Sequence, residues 1–175
     1  LAKQIVEITQ IKNPGLKHKI VFTMAGDHGV VENGVSAFPK EVTPQMVYNF
    51  LNNGAGINVL ARHVGARVVV VDMGVACDLK DNPALIIKKV NYGTRNIVKG
   101  PAMTKDEAIK SIENGIKVFE DEMPGGIDMI GTGDMGIGNT TPSSAIVAAI
   151  TGRSVKEVTG RGTGIDDNSL SGKIA

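Results

Sequence analysis

Apolar runs of strand length recur along the chain. Lys19 to Ala25 and Arg67 to Met73 are almost continuously apolar and rich in β-branched residues. Such runs are typical of parallel strands that are covered on both faces. Leu85 to Val90 is a weaker strand of the same kind, and Ile127 to Ile130 is a short one. The pattern therefore predicts four strands.

Segments with a helical pattern of apolar residues separate these strands. Pro44 to Asn52 and Gly56 to Val64 read as helices, with Gly54 and Gly65 as their stops. Ser143 to Ile150 follows the last strand and also reads as a helix. At the start of the chain, an amphipathic pattern places three apolar residues on one face, namely Leu1, Ile5 and Ile8.

The longest predicted helix begins at a capping box. Thr104 is the N-cap, and Glu107 reaches back to its amide. The helix is expected to run to about Phe119. Its expected buried face consists of four residues, Ala108, Ile112, Ile116 and Phe119.

Alternating strands and helices predict an α/β fold. We expect one domain over residues 1–175, built as a doubly wound, mostly parallel sheet with helices on both faces, a Rossmann-like three-layer arrangement. Ligands of such sheets bind beyond the carboxyl ends of the strands. Three polar segments fall there: Gly26 to Gly34, the loop after Asp72, and a glycine-rich segment from Gly131 to Pro142.

Composition narrows the function classes. The net charge of +1 gives no argument for a nucleic acid partner or an anionic membrane surface. No apolar run approaches the roughly 18 residues of a membrane span, and no signal-peptide pattern begins the chain. The single Cys77 excludes an internal disulfide and suits the cytoplasm. No residues have zinc-ligand spacing, so we expect no metal.

The glycine-rich segment carries the main chemical signal. It sits between a strand and a helix, where glycines let the backbone approach an anion and helix amides point at it. Thr141 is the expected N-cap and Pro142 the expected first helical residue. The spacing is neither G-x-G-x-x-G nor a P-loop. The residues alone leave two interpretations, a phosphate site or a tight turn packed by glycines.

The histidines give weaker signals. Asp27 and His28 follow the first strand and are either a ligand-orienting or acid–base pair, or a pair whose hydrogen bonds fasten an irregular loop. We favour the second interpretation. His18 and His63 have no partner in sequence and are expected at the surface or its boundary.

The segment Gly133 to Pro142 closely resembles a signature of the nicotinate-nucleotide–dimethylbenzimidazole phosphoribosyltransferase family, which makes the lower-ligand nucleotide of cobalamin. Three other segments match the family in the same order, and the resemblance covers nearly the whole chain. They are Ala25 to Val30, Gly93 to Ile97 with Gly100 to Thr104, and Gly160 to Gly164.

The resemblance implies a reaction and a phosphoribosyl site. A benzimidazole-type base would displace nicotinate from nicotinate mononucleotide, and no cofactor is implied. Asp134 would act electrostatically on the positive charge of the sugar end. Relatives usually carry Glu there, so the shorter side chain leaves open a non-catalytic nucleotide-binding relative. The implied phosphoribosyl-binding residues are Gly133, Gly136, Ile137, Gly138, Asn139, Thr140 and Lys173.

The resemblance also implies a pocket for the aromatic base. Its residues would be Phe38, Gln45, Met46 and Met135, because planar bases suit flat or polarisable walls. Met46 could equally belong to the buried face of its helix. Family members look dimeric and about twice this length, with the general base a glutamate near the C-terminal end. We therefore expect a homodimer, and expect this chain to be truncated at both ends and inactive alone.

Overall fold

The computed structural model describes all residues from Leu1 to Ala175, as four strands, seven α-helices and two short 3₁₀ turns. The elements, in chain order, are α1 (Ala2–Thr9), β1 (Lys19–Gly26), a 3₁₀ turn (Gly29–Asn33), α2 (Val42–Leu51), α3 (Gly56–Val64), β2 (Ala66–Gly74), β3 (Leu85–Ile87), α4 (Lys105–Glu122), a 3₁₀ turn (Met123–Gly125), β4 (Met129–Met135), α5 (Thr140–Thr151), α6 (Val155–Val158) and α7 (Asp167–Ile174).

The four strands form one parallel sheet in the order β3-β2-β1-β4. The chain moves outward from β1 to β2 and β3, and then crosses back so that β4 pairs with the other side of β1. The strand order therefore reverses between β1 and β4. In open α/β sheets the ligand crevice lies at such a reversal, beyond the carboxyl ends of the two strands.

Helices cover both faces of the sheet, as predicted. One core cluster joins the sheet to α2, where Val47 and Phe50 pack with Val70. The other lies on the opposite face, where Val118 of α4 packs with Val71. Successive strand residues point to opposite faces, so neighbours such as Val70 and Val71 serve different layers. The result is the expected three-layer α/β arrangement. The structure contains no helix that combines the length and the hydropathy of a membrane span.

Two predicted helix ends are confirmed, the capping box of α4 and the glycine stop of α3, whereas α2 begins at Val42 instead of Pro44. Thr104 Oγ1 accepts the Glu107 amide at 3.1 Å, and Glu107 Oε2 accepts the Thr104 amide at 2.7 Å, which completes the capping box. Gly65 ends α3 with φ of 64°. After α2 the left-handed residue is Asn53, with φ of 59°, and not Gly54. Asparagine tolerates this conformation better than most side chains.

The predicted buried face of α4 is half right. Phe119 packs against the core and Ala108 is half-buried, but the two isoleucines between them are exposed. Ile112 and Ile116 are 66% and 53% exposed, whereas Val118 is fully buried. The reason is a polar anchor, because Asn114 donates to the carbonyl of Lys88 at 2.8 Å and turns the neighbouring face of the helix to the sheet. An apolar stripe of α4 is consequently left on the surface.

Two strands differ from their predicted limits. β3 ends at Ile87 instead of Val90, and β4 begins after Ile127 and runs on to Met135. The first half of the glycine-rich segment is therefore strand and not loop. The ladder to β1 continues because glycines allow close approach: a Cβ on Gly131 would lie 3.2 Å from Cγ2 of Val21.

The helix after the glycine turn also begins earlier than predicted. α5 starts at Thr140 with Asn139 in the N-cap position, so Thr141 is not the cap and Pro142 is the third helical residue. Proline fits there because the amides of the first turn have no partner within the helix. Near the end of the chain, Lys173 lies in the last turn of α7.

Candidate functional site

A four-residue turn, Gly136 to Asn139, joins β4 to α5 at the reversal point of the sheet. The buried hydroxyl of Thr43 accepts the amide of Ile137 at 3.0 Å. The side-chain amide of Asn139 donates to the carboxylate of Asp134, which closes the turn on the strand before it. The amides of Gly138 and Thr140 donate to no acceptor in the protein. Unpaired amides at the start of a helix are typical donors to an anion.

Glycine is required at two positions of this turn. A Cβ on Gly136 would overlap the carbonyl oxygen of Gly26, at the end of β1. Gly138 has φ of +79°, and a Cβ there would lie 2.7 Å from Cγ2 of Val31. The glycine turn therefore packs directly against the end of β1 and the 3₁₀ turn that follows it.

Lys173 reaches the start of α5 from the far end of the chain. Its ammonium donates to Thr140 Oγ1 at 2.7 Å and to the carbonyl of Gly160 at 3.0 Å. The side chain is largely buried, and this burial lowers the pKa of Lys173 from its ordinary value. An ammonium has three donors, so one remains for a ligand.

The loop from Gly160 to Gly164 holds these parts together. Gly162 has φ of +56°, and a Cβ there would lie 2.8 Å from Thr140 Oγ1. One residue on, Thr163 Oγ1 lies 3.1 Å from Ser36 Oγ and accepts the amide of Ala37 at 2.9 Å. The loop thus ties the start of α5 to the segment before α2.

The residues expected around the aromatic base do not all converge. Met46 and Met135 pack against the same core cluster, on the α2 face of the sheet. Phe38 is 52% exposed and Gln45 is also at the surface. Asp134 is exposed and pairs in register with Met24, which belongs to the α4 face. Asp134 and Met135 therefore point to opposite faces of β4.

Asp27 fastens the loop after β1, as predicted. It is 7% exposed, its Oδ2 accepts the amide of Ala76 at 2.8 Å, and its carbonyl accepts the amide of Thr94 at 3.0 Å. Its Oδ1 has no partner. The carboxylate therefore links the ends of β1 and β2 through one oxygen only.

His28 makes no such bond, so the prediction that both side chains fasten the loop fails for it. Its Nδ1 is buried without a partner. Burial lowers the pKa of His28, and the charges of Asp27 and Asp134 oppose this shift. Burial therefore favours the neutral form of the ring, although two carboxylates are near. His18 and His63 are exposed, as expected.

The remaining family segments meet at the same edge. Gly93 has φ of +79°, and a Cβ there would lie 3.2 Å from the carbonyl oxygen of Asp27. Arg95 donates through Nε to the carbonyl of Pro101 at 3.1 Å and lies 3.5 Å from Glu107. A cavity of ≈ 190 Å³ opens between these segments and the end of β1.

The loop after β2 is held by a buried ion pair that sequence reasoning missed. Asp72 Oδ1 accepts the amides of Gly74 and Val75 at 3.0 and 2.8 Å, and its other oxygen lies 3.2 Å from Lys89 Nζ.

The bond from the Ile137 amide to Thr43 was also missed by sequence reasoning. Its partner lies 94 residues away, so no local pattern could mark it. No group of His, Cys, Asp or Glu side chains could hold a metal ion.

Comparisons with known proteins agree on one family. A family model described as phosphoribosyltransferase matches residues 1–175. The nicotinate-nucleotide–dimethylbenzimidazole phosphoribosyltransferase of Geotalea uraniireducens is 64% identical over 173 residues, 99% of this chain and 49% of the relative. The enzyme of the same name from Chloroflexus aggregans is 58% identical over 175 residues, 100% and 50% of the two chains.

Solved structures give the same result. A crystal structure of CobT from Thermus thermophilus has a TM-score of 0.95 and 42% identity, over 99% of this chain and 52% of that one. A second structure from that organism, described as the nicotinate-nucleotide–dimethylbenzimidazole phosphoribosyltransferase, has a TM-score of 0.91 and 40% identity, over 98% and 51%. The chain spans about half the length of the relatives it matches.

Proposed function

Because the chain belongs to the nicotinate-nucleotide–dimethylbenzimidazole phosphoribosyltransferase family, we propose that the full-length protein transfers the 5-phosphoribosyl group of nicotinate mononucleotide to a benzimidazole-type base. In this reaction the bond between the anomeric carbon and the pyridinium nitrogen breaks, and its electron pair leaves with nicotinate. A nitrogen of the base forms the new bond and loses its proton. No cofactor takes part.

One observation carries this proposal. At the reversal point of the sheet, the free amides of Gly138 and Thr140 lie where α5 begins, and the buried ammonium of Lys173 lies 2.7 Å from Thr140 Oγ1. Backbone donors, a helix N-terminus and a cation together suit a dianionic phosphate. Gly136, Ile137 and Asn139 act by shaping the turn, since the Ile137 amide is already bonded to Thr43, and Gly133 acts from β4, the strand that leads into it.

Asp134 is proposed to face the positive charge that moves from the pyridinium to the anomeric carbon. A fixed carboxylate that lies nearer the anomeric carbon than the pyridinium nitrogen gains attraction as the positive charge moves to that carbon. It therefore stabilises an oxocarbenium-like transition state more than the bound substrate. The bond from Asn139 supports the proposal because it fixes the carboxylate against the turn that would hold the phosphate.

For the base, we propose that Phe38 and Gln45 provide the contacts and that Met46 and Met135 form the wall behind them. The exposed ring of Phe38 has a face free to stack, whereas the two methionines are held by the core. We also propose that the protein works in the cytoplasm as a homodimer. The apolar stripe of α4, formed by Ile109, Ile112 and Ile116, supports association because it is exposed here.

The function is tested by chromatography of the full-length protein with nicotinate mononucleotide, with and without 5,6-dimethylbenzimidazole. We expect nicotinate release that depends on the base, together with formation of the base riboside phosphate. Lys173→Met should weaken nucleotide binding roughly tenfold or more, because a charge-assisted hydrogen bond is lost. Lys156→Met, an exposed lysine of α6, is the matched control. Base-independent release, or none, would contradict the proposal.

A further inference from the structure

Two neighbouring residues at the reversal point each bury a polar atom that has no partner. These atoms are Oδ1 of Asp27 and Nδ1 of His28. Asp27 is only 7% exposed, so bulk water does not reach the unpaired oxygen. Buried polar groups are nearly always hydrogen-bonded in folded proteins, so two adjacent exceptions require an explanation.

The other nitrogen of His28 lies at the glycine turn. A Cβ built on Gly136 would lie 3.3 Å from His28 Nε2. Gly136 is the first residue of the turn whose amides and lysine form the phosphate site proposed above. Asp27 and His28 also line two adjoining cavities, of ≈ 190 and ≈ 440 Å³. His28 therefore follows the buried carboxylate of Asp27 in the chain and presents Nε2 to the glycine turn, the place proposed for the nucleotide.

We propose that His28 accepts a hydrogen bond from a ribose hydroxyl of the nucleotide bound at the glycine turn, and that Asp27 fixes the imidazole in the tautomer this requires. The inference rests on the proposed function, because it concerns the same site. It assigns to His28 a substrate-binding role and to Asp27 a positioning role.

The tautomer follows from the inventory of donors and acceptors. In the structure each of these two atoms is without a partner, so the bond between them forms only when the nucleotide is bound. A carboxylate only accepts, so Asp27 Oδ1 then receives the hydrogen of His28 Nδ1. A neutral imidazole then has its second nitrogen free as an acceptor. The matching donor on a nucleotide is a hydroxyl. Hydrogen bonds to a sugar hydroxyl next to the reacting carbon strengthen as the glycosidic bond breaks, so the contact would raise the rate as well as the affinity.

The protonation state of His28 agrees with this role. Burial lowers its pKa, against the opposing charges of Asp27 and Asp134, so the ring is neutral at pH 7. Protonation at lower pH would turn Nε2 into a donor and remove the acceptor. The other charged side chains around the two cavities are Glu32, Lys40, Glu41, Arg95 and Glu107.

The test combines substrate analogues with variants of the full-length protein. The kcat/KM of nicotinate mononucleotide is compared with those of its 2′-deoxy and 3′-deoxy analogues. For wild type we expect the kcat/KM of one analogue to be about tenfold lower than that of nicotinate mononucleotide, because a hydrogen bond is missing. In His28→Phe that penalty should fall below about twofold, and in His28→Gln, whose amide oxygen can accept, it should return in part. His63→Gln, at an exposed histidine of α3, should behave as wild type.

Comparing ratios between variants cancels the intrinsic reactivity of each analogue, and a merely structural effect of His28 would leave the penalty unchanged. Asp27→Asn should also reduce the penalty, because an asparagine amide can donate to Nδ1 and favour the wrong tautomer. In wild type, the penalty should disappear as pH falls through the pKa of His28, below about 6.5. If the variants do not fold, this pH profile of the wild-type protein tests the role of His28 by itself.

The outcomes separate the two proposals. Equal penalties in wild type and His28→Phe, or no penalty in wild type for either analogue, would overturn the role of His28 and leave the transferase function standing. A wild-type protein that does not use nicotinate mononucleotide at all would overturn both.

Discussion

The hydroxyl of Thr43 accepts the amide hydrogen of Ile137 across 3.0 Å, in the interior of the protein. Through this bond the first turn of α2 holds the glycine turn that follows β4. The same bond removes one amide of the turn from any ligand. The amides that we propose to bind phosphate and the amide that holds the turn in place are therefore different, although they are neighbours in the glycine-rich segment.

We expect Thr43→Val to destabilise the full-length protein by about 1–3 kcal/mol, because it leaves the amide of Ile137 buried without an acceptor. The side-chain shape is nearly preserved, so little of this cost comes from packing. Urea unfolding measures it. Thr43→Ser keeps the hydroxyl and is the matched control; if the serine and valine variants lose the same stability, the hydrogen bond is not the cause.

Gly162→Ala should weaken nucleotide binding and lower stability, because a Cβ would lie 2.8 Å from Thr140 Oγ1 at a residue with φ of +56°. Each effect costs on the order of 1 kcal/mol or more. Gly160→Ala, in the same loop, meets nothing within 4 Å and should be tolerated. Calorimetric titration with nicotinate mononucleotide measures both variants, and similar affinities for the two would contradict the packing described for this loop.

Asp134→Asn should lower kcat by more than tenfold and leave the affinity for nicotinate mononucleotide nearly unchanged. The physical reason is that a group which acts mainly in the transition state affects the rate and not the binding of substrate. Steady-state kinetics and a separate binding titration measure the two quantities.

Asp134→Glu is the companion variant and should raise kcat, because the longer side chain restores about an ångström of reach. If asparagine substitutes without loss of rate, Asp134 is only a hydrogen-bond acceptor for Asn139. A full-length protein that is inert with either carboxylate would favour the non-catalytic relative.

The layout of the fold could be read from the sequence because strand and helix signals are local. The β-branched run at Arg67 to Met73 and the capping box at Thr104 both predict their elements from neighbouring residues alone. The predictions that fail concern residues whose partners lie far away in the sequence. Ile112 and Ile116 were expected inside, but the bond from Asn114 to the carbonyl of Lys88 turns that face of α4 outward.

The position of the candidate site could be predicted from its motifs, but its detailed arrangement could not. The glycine spacing and the resemblance point to the segment from Gly133 to Thr140. Whether Gly133 and Asp134 are strand or loop depends on the ladder with β1, which only the fold supplies. The resemblance alone pointed to Lys173 as a phosphate-binding residue, and its contact with Thr140, 33 residues away in the chain, was not predicted.

Asp128 should make stability depend on pH. Its Oδ2 accepts the amides of Lys17 and His18, each at 2.8 Å, and these bonds lower its pKa. The lowered pKa means that Asp128 stabilises the folded protein above the pKa of the unfolded chain, about 3.9. This contribution is lost as pH falls through the folded value.

Asp128→Ala should therefore be less stable than wild type at pH 7, and the difference should shrink as the pH is lowered below about 4. Thermal unfolding over a pH series measures this. Asp81→Ala, at an exposed aspartate in the loop before β3, is the control. A stability difference that does not change with pH would show that the charge of Asp128 has no part in it.

The most direct test of the phosphoribosyl site is a crystal structure of the full-length protein with nicotinate mononucleotide. We predict that the phosphate lies within hydrogen-bond distance of the amides of Gly138 and Thr140, with Lys173 Nζ as a further donor. Density for the phosphate only at another place, with these amides bound to water, would contradict the account.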